Sequence, residues 1–280
     1  MKFGIFTGPT DKSMRIDVLA PAIEEAGFES LWVPQHSHIP TSRRSPWSGG
    51  PELPRGHKAG LDPFVALGIA ATVTTSLRLG TGACVVPEHD PIHLAKAVAT
   101  VDFVSGGRML FGVGAGWNAE ELESHGVDPA HRWDVMADRI AAVKHIWANE
   151  EAEYHGPYAD FERMWQWPKP VQTPHPPVLV AGQGMRAMRH AAAYGDGWMP
   201  YAGFEDVSVA AKAERLNALA AERGRGPLTV TIFGLPVEEG VAEPYMVPEV
   251  ERLIYRLPPA PASVVLPLLG RAAGIIADLA

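Results

Sequence analysis

Apolar runs of strand length alternate along this chain with segments whose apolar residues recur every third or fourth position. The runs are Phe3 to Thr7, Ser30 to Pro34, Leu77 to Val85, Met109 to Gly112, Val178 to Gly182, Gly197 to Pro200, Thr229 to Gly234 and Arg252 to Leu257. Between the first two, Ile16, Leu19, Ala20 and Ile23 fall on one helical face, and Met136, Ile140, Val143 and Trp147 repeat the pattern after the fourth. Asp62-Pro63 and Asp90-Pro91 each read as a helix start, a carboxylate capping free amides with proline at the first helical position. About eight strand-helix pairs result, the number that closes an α/β, (β/α)8 TIM barrel.

Two segments exceed the minimal barrel, and one falls short of it. Gln35 to Gly60, after the second strand, holds four prolines and Arg43, Arg44, Arg55 and Lys58 against Glu52 alone. Its length predicts an irregular lid. Glu151 to Pro177, before the fifth strand, is rich in proline and carries Tyr154, Tyr158, Phe161, Trp165 and Trp167, which predicts an inserted hairpin or clamp stapled by its rings. After the seventh strand, Pro244, Tyr245, Met246 and Pro248 stand where a regular helix is expected.

Composition narrows the class. The 280 residues fit one domain spanning 1–280, and 46% apolar with 20% charged residues is ordinary for a globular enzyme. A net charge of −8 argues against a phosphate-tracking nucleic-acid surface. No signal peptide is expected at Met1 to Thr10, nor any apolar stretch approaching bilayer length. With Cys84 as the single cysteine, the expected setting is the cytoplasm, without membrane contact. Cys84 itself should be buried and inert.

The candidate chemistry gathers at strand ends. Gly112-Val113-Gly114-Ala115-Gly116-Trp117 approximates a dinucleotide fingerprint, but it has Trp at the sixth position and follows a fourth strand. Its glycines fit better as a loop pressed against a ring or phosphate. Gln35-His36-Ser37-His38 leaves the second strand, where alternating histidines can form a metal pair; later strand ends add no ligand in register, so no metal is expected. His36 is the candidate proton donor. His38 reads as a loop residue, while His89 and His93 flank the Asp90 cap. Gly182, Gln183 and Gly184 lead from a strand into a helix at Met185, an anion site by geometry to which Arg186 could add charge.

Five segments together carry a family resemblance: LWVPQHSHIPTSRRSPW from Leu31, LRLGTGACVVPEHDPIHLAKAVATVDFVSGGR from Leu77, FGVGAGWNAEE from Phe111, WPKPVQTPHPPVLVAGQG from Trp167 and YGDGWMP from Tyr194. The chain resembles the luciferase-like monooxygenase superfamily, in its branch of oxidoreductases dependent on the deazaflavin coenzyme F420. The resemblance implies a bacterial luciferase-like barrel, commonly homodimeric, with a flat tricyclic cofactor at the C-terminal mouth. It also implies a bulge, often a non-prolyl cis peptide, at Gly82-Ala83 or one residue later. Around the cofactor it would place Gln35, His36, Gly82, Ala83, Val85, Gly114, Gly116, Trp117, Asn118, Ala181, Gly182, Gln183 and Gly184.

Sugar-phosphate dehydrogenases of the superfamily have Asp-His where this chain has Gln35-His36, and an acid where it has Trp117. That chemistry is therefore not expected. The expected activity is hydride transfer between F420 and a small organic substrate, with His36 donating the proton. The alternatives are an FMN-dependent monooxygenase fed by a partner flavin reductase, and a catalytically silent cofactor-binding barrel.

Overall fold

The computed structural model describes residues 1–47, 49–203 and 208–279. Parallel strands Lys2–Phe6, Ser30–Val33, Arg78–Thr81, Met109–Gly114, Val178–Ala181, Gly197–Met199, Thr229–Leu235 and Val250–Arg256 pair in chain order. The last pairs back onto the first, from Lys2 beside Arg252 to Phe6 beside Arg256, closing an eight-stranded TIM barrel. The third strand resumes as Cys84–Val85 after a cis Gly82-Ala83 peptide, where the resemblance placed it. The fourth continues to Gly114 because Cys84 and Val85 still pair with Val113 and Gly114.

Alternation along the strands builds two apolar layers. Trp32, Leu110, Leu179, Met199, Phe233 and Ile254 fill the barrel interior. A larger core, including Ile23, Leu67, Val98, Ile140 and Leu216, lies between the strands and the outer helices. Strands buried on both sides explain why their sequence reads as continuous apolar runs. Asp62 and Asp90 cap their helices as expected, accepting from Val65 N at 2.9 Å and His93 N at 3.0 Å.

Several expectations change in detail. The lid contains a short helix, Arg55–Ala59, held to the barrel by Arg55 on Asp11 and by the Leu61 amide on the Pro9 carbonyl. The insertion is an antiparallel hairpin, Glu151–His155 with Asp160–Trp165. Tyr154 stacks on Phe161 and donates to Asp138, but Trp165 and Trp167 stand 71% and 57% exposed, so only part of the aromatic set acts as a staple. After the seventh strand the described residues form only a 3-10 turn, Glu243–Tyr245.

The expectation of no apolar stretch of spanning length needs correcting. Helix Ala262–Leu279 has 18 residues with a mean hydropathy of 1.6, enough by length and composition to cross a membrane. Pro267, Gly270, Arg271 and Gly274 break up the run to the eye. Here the helix covers the barrel, burying Val265, Leu269, Ala272 and Ile275.

Candidate active site at the C-terminal mouth

The second strand delivers Gln35 and His36 to the C-terminal end, where barrel enzymes place their chemistry. Gln35 is buried; its Oε1 accepts from Val85 N at 3.0 Å and its Nε2 meets His89 Nε2. It therefore ties the second strand to the resumed third strand. Val85 packs beneath, on Leu122, Val127 and Val135. Both support the mouth rather than line it.

His36 is held on both ring nitrogens. Nδ1 lies 2.8 Å from Glu121 Oε2, and Nε2 lies 3.1 Å from His57 Nδ1 and 3.4 Å from Trp117 Nε1. Glu121 sits on helix Ala119–Ser124, which Asn118 caps by accepting from the Glu121 amide at 3.4 Å. Oε1 of Glu121 accepts from Ser37 N at 2.9 Å. His57 comes from the lid helix and packs among His36, Trp117 and Trp47, with ring centroids 5.1, 6.3 and 5.4 Å away. Burial above all, with Arg43 nearby, pushes the His57 imidazole down to about 4. It is neutral at neutral pH.

More titratable groups lie behind this line. Burial, then the adjacent Glu121 carboxylate, pushes Glu88 up to about 8, and its Oε2 is buried with no hydrogen-bond acceptor or donor assigned to it. A proton on Glu88 lets it donate to Glu121. Burial, against the opposing charge of Asp62, likewise lowers His89 to about 4. Glu88, His89, His125 and Arg139 edge a polar cleft of about 370 Å³ beneath the hairpin. Next to Glu121, Glu120 is a strut: burial raises its pKa, but donors from Ser45 Oγ and from the Ser45 and Arg44 amides outweigh it and hold the carboxyl at about 2. They anchor the lid.

The glycines divide by what a side chain would meet. A Cβ on Gly114 would find only Ala83 Cβ at 3.5 Å and Cys84 O at 3.9 Å, ordinary contacts beside open space. With Ala83 and Ala181, both only half-buried, it gives the mouth a floor of small residues over Phe6 and Phe233. Gly82 is different, since its Cβ would strike Phe233 at 2.5 Å. Gly116 (φ 82°) would strike Val85 at 2.9 Å, and Gly182 (φ 131°) would press Ala187 at 3.2 Å. Those three are required by the fold itself.

Gly184 opens helix Gly184–Tyr194, whose first residue has φ 75° and nothing within 4 Å of a Cβ. Gln183 gives no side-chain cap; its Nε2 donates to Tyr201 O at 3.1 Å. The free first-turn amides, with Arg186 exposed beside them, suit an anionic group. A floor of small residues and an uncapped helix end on the same rim fit a flat cofactor carrying phosphate.

Residues 1–237 match the model of the luciferase-like monooxygenase family. The chain belongs to that family. Among its relatives is an uncharacterised protein of Mycobacterium tuberculosis, 38% identical over 248 residues, 86% of this chain and 87% of the relative. The F420-dependent hydroxymycolic acid dehydrogenase of the same organism is 27% identical across 77% of this chain, which spans 56% of that protein. A flavin-dependent trigonelline monooxygenase oxygenase component of Acinetobacter baylyi is 33% identical over 44% of this chain and 34% of its own. In fold, a structure of an F420-dependent secondary alcohol dehydrogenase superposes with a TM-score of 0.75 at 15% identity, covering 100% of this chain and 99% of that one. The family thus contains both F420-dependent and flavin-dependent oxidoreductases.

The structure brings His36, Trp117 and Asn118 into one network through Glu121, ties Gln35 separately to His89 and Val85, and places Ala83, Gly114 and Ala181 on one floor. His38 turns away to Ser37 and His125, so the alternating histidines do not converge. Among the described residues, the one group of three donors close enough for a metal is Glu153, His155 and Glu162, all exposed on the hairpin. Sequence reasoning missed His57, Glu88 and Glu121, and set His89 aside as a neighbour of the Asp90 cap. Only Glu121 left a signal, as the second of two adjacent acids behind an Asn cap.

Proposed function

We propose that this protein is an F420-dependent oxidoreductase that moves a hydride between the deazaflavin and a hydroxyl- or carbonyl-bearing carbon of a small organic substrate. The observation that carries the reading is a floor of small residues at Gly114, Ala83 and Ala181 beside the His36–His57 imidazole line backed by Glu121. The floor and the Gly184 helix end would hold the cofactor, which supplies hydride exchange when bound. The chain supplies orientation, exclusion of water by the lid, and a place for the proton. The F420-dependent dehydrogenase among the relatives, matching over 77% of this chain, supports deazaflavin over FMN.

Titrating the apo protein with F420 and with FMN, followed by fluorescence, tests this directly; tighter binding of FMN would replace the reading with the flavin monooxygenase one and its partner reductase. That second reading draws on the flavin-dependent oxygenase among the relatives. We further propose a cytoplasmic homodimer. Helix Pro63–Val73 is apolar on every side and leaves Val65, Ile69 and Val73 exposed, as a helix awaiting a second copy would.

A further inference from the structure

We propose that the group exchanging a proton with the substrate is His57 of the lid helix, with Glu121 and His36 forming the polarising line behind it. The proposal rests on the oxidoreductase reading and deepens it.

The argument is one of donors and acceptors. Indole Nε1 only donates, so Trp117 requires a lone pair on His36 Nε2. A neutral His36 with a bare Nε2 carries its proton on Nδ1, where the Glu121 carboxylate accepts it at 2.8 Å. His57 Nδ1, 3.1 Å from the same bare Nε2, must therefore be a protonated donor. That leaves His57 Nε2 as the unprotonated end of the line. His36 has no nitrogen left for a substrate, while His57 rides on a helix fastened across the mouth by Arg55 to Asp11. The charged and titratable groups facing His57 are His36, Glu121 and Arg43, and the neutral walls are Trp47 and Trp117.

An unprotonated Nε2 backed by a carboxylate is a base, so the resting protein is set to receive a proton. In the oxidative direction the substrate O–H bond breaks and its proton goes to His57 Nε2. The C–H bond gives its hydrogen and both electrons to the deazaflavin as oxidant, and C–O becomes C=O. The reverse reaction returns the proton from His57.

The first test needs no cofactor. In long-range ¹⁵N-histidine NMR spectra of the apo protein at pH 7, His57 should be protonated at Nδ1 and bare at Nε2, and should stay neutral well below pH 6. A proton on His57 Nε2 would overturn the assignment. The second test follows bleaching of bound F420 by 2-propanol and cyclohexanol in single turnover. His57→Gln should slow it by roughly 10² to 10⁴-fold, with F420 affinity unchanged and rate partly restored by added imidazole. His36→Asn should be slowed without imidazole rescue. A His57→Gln protein as fast as wild type, or a wild-type protein that binds F420 but oxidises neither alcohol, would overturn the proposal. Failure to bind F420 at all would instead remove the cofactor reading, and the NMR result would still decide the tautomers.

Discussion

The two ends of the barrel both bury polar side chains, yet they partner them differently. At the N-terminal end, Asp102 is fully buried and accepts from Val171 N at 2.7 Å, Gln172 N at 3.0 Å and Gln172 Nε2 at 2.6 Å. Arg108 spends its guanidinium on the carbonyls of Ala71, Leu77 and Ser105. Arg252 meets Glu29 through two bonds of 2.8 Å. At the C-terminal mouth, Glu88, His57 and His89 are instead driven toward their neutral forms, and a Glu88 oxygen lacks a partner. Partners occupy the first set, whereas burial without full pairing shifts the second toward its neutral forms, as groups that exchange protons are shifted.

The largest effect expected from this contrast is at the N-terminal end. Asp102→Ala strands the N–H donors of Met109, Val171 and Gln172 and should cost about 3 kcal/mol of stability, read as a lower urea midpoint. Glu121→Gln, equally buried but in the mouth, keeps an acceptor for Ser37 and should cost within about 1 kcal/mol while slowing turnover. Equal destabilisation by the two would erase the distinction.

Next comes the floor. Gly114→Val should weaken F420 binding by about 100-fold or more, with Tm nearly unchanged, because only the ligand needs that space. Gly182→Val, at φ 131° and against Ala187, should instead lower Tm. Fluorescence titration beside thermal melts separates the two, and unaltered binding in a folded Gly114→Val protein would move the cofactor elsewhere.

The ends should also respond to different pH ranges. Glu88, raised from 4.5 to about 8, contributes stability that is complete below about 4.5 and lost as pH rises through 8. His57 and His89, lowered from 6.5 to about 4, contribute stability that is present above 6.5 and lost as pH falls through 4. Glu24 at the other end, near 2, matters only below 4.5. Stability should therefore decline on both sides of a maximum near pH 6, with the alkaline limb removed by Glu88→Gln, an effect on the order of 2 kcal/mol. Urea titrations from pH 4 to 9 on both proteins test this; an unchanged alkaline limb would mean Glu88 ionises normally.

Local signals in the sequence were enough for the strands, the Asp62 and Asp90 caps and the inserted hairpin, since each depends on neighbours in the chain. The glycine loop at Gly114 was legible for the same reason, and the family resemblance supplied Ala83, Ala181 and the cis peptide. What sequence did not show were partnerships made by barrel closure. His36 meets Glu121 from 85 positions away, and Gln35 meets His89 from 54. His89 looked like a bystander to the Asp90 cap because its real partner lies on another strand. His57 lay unmarked inside an irregular segment, where no periodicity says which residue returns to the site.

The smallest effect refines the contrast, because not every acid at the mouth is reactive. Glu120 and Glu24 are held near pKa 2 at opposite ends, each by backbone amides and serine hydroxyls that outweigh its burial. Glu24 accepts from the amides of Thr75, Ser76 and Leu77, fastening the entry to the third strand. Glu24→Gln should cost about 1 kcal/mol of global stability. Glu120→Gln cuts anchors of the lid alone, so global stability should hold while limited proteolysis between Ser42 and Arg55 speeds up. If it lowered the urea midpoint as far as Glu24→Gln does, the lid would belong to the barrel's cooperative unit and could not open independently of it. A midpoint that holds while cleavage accelerates would show that the segment carrying His57 can lift from the mouth while the barrel beneath it stays folded.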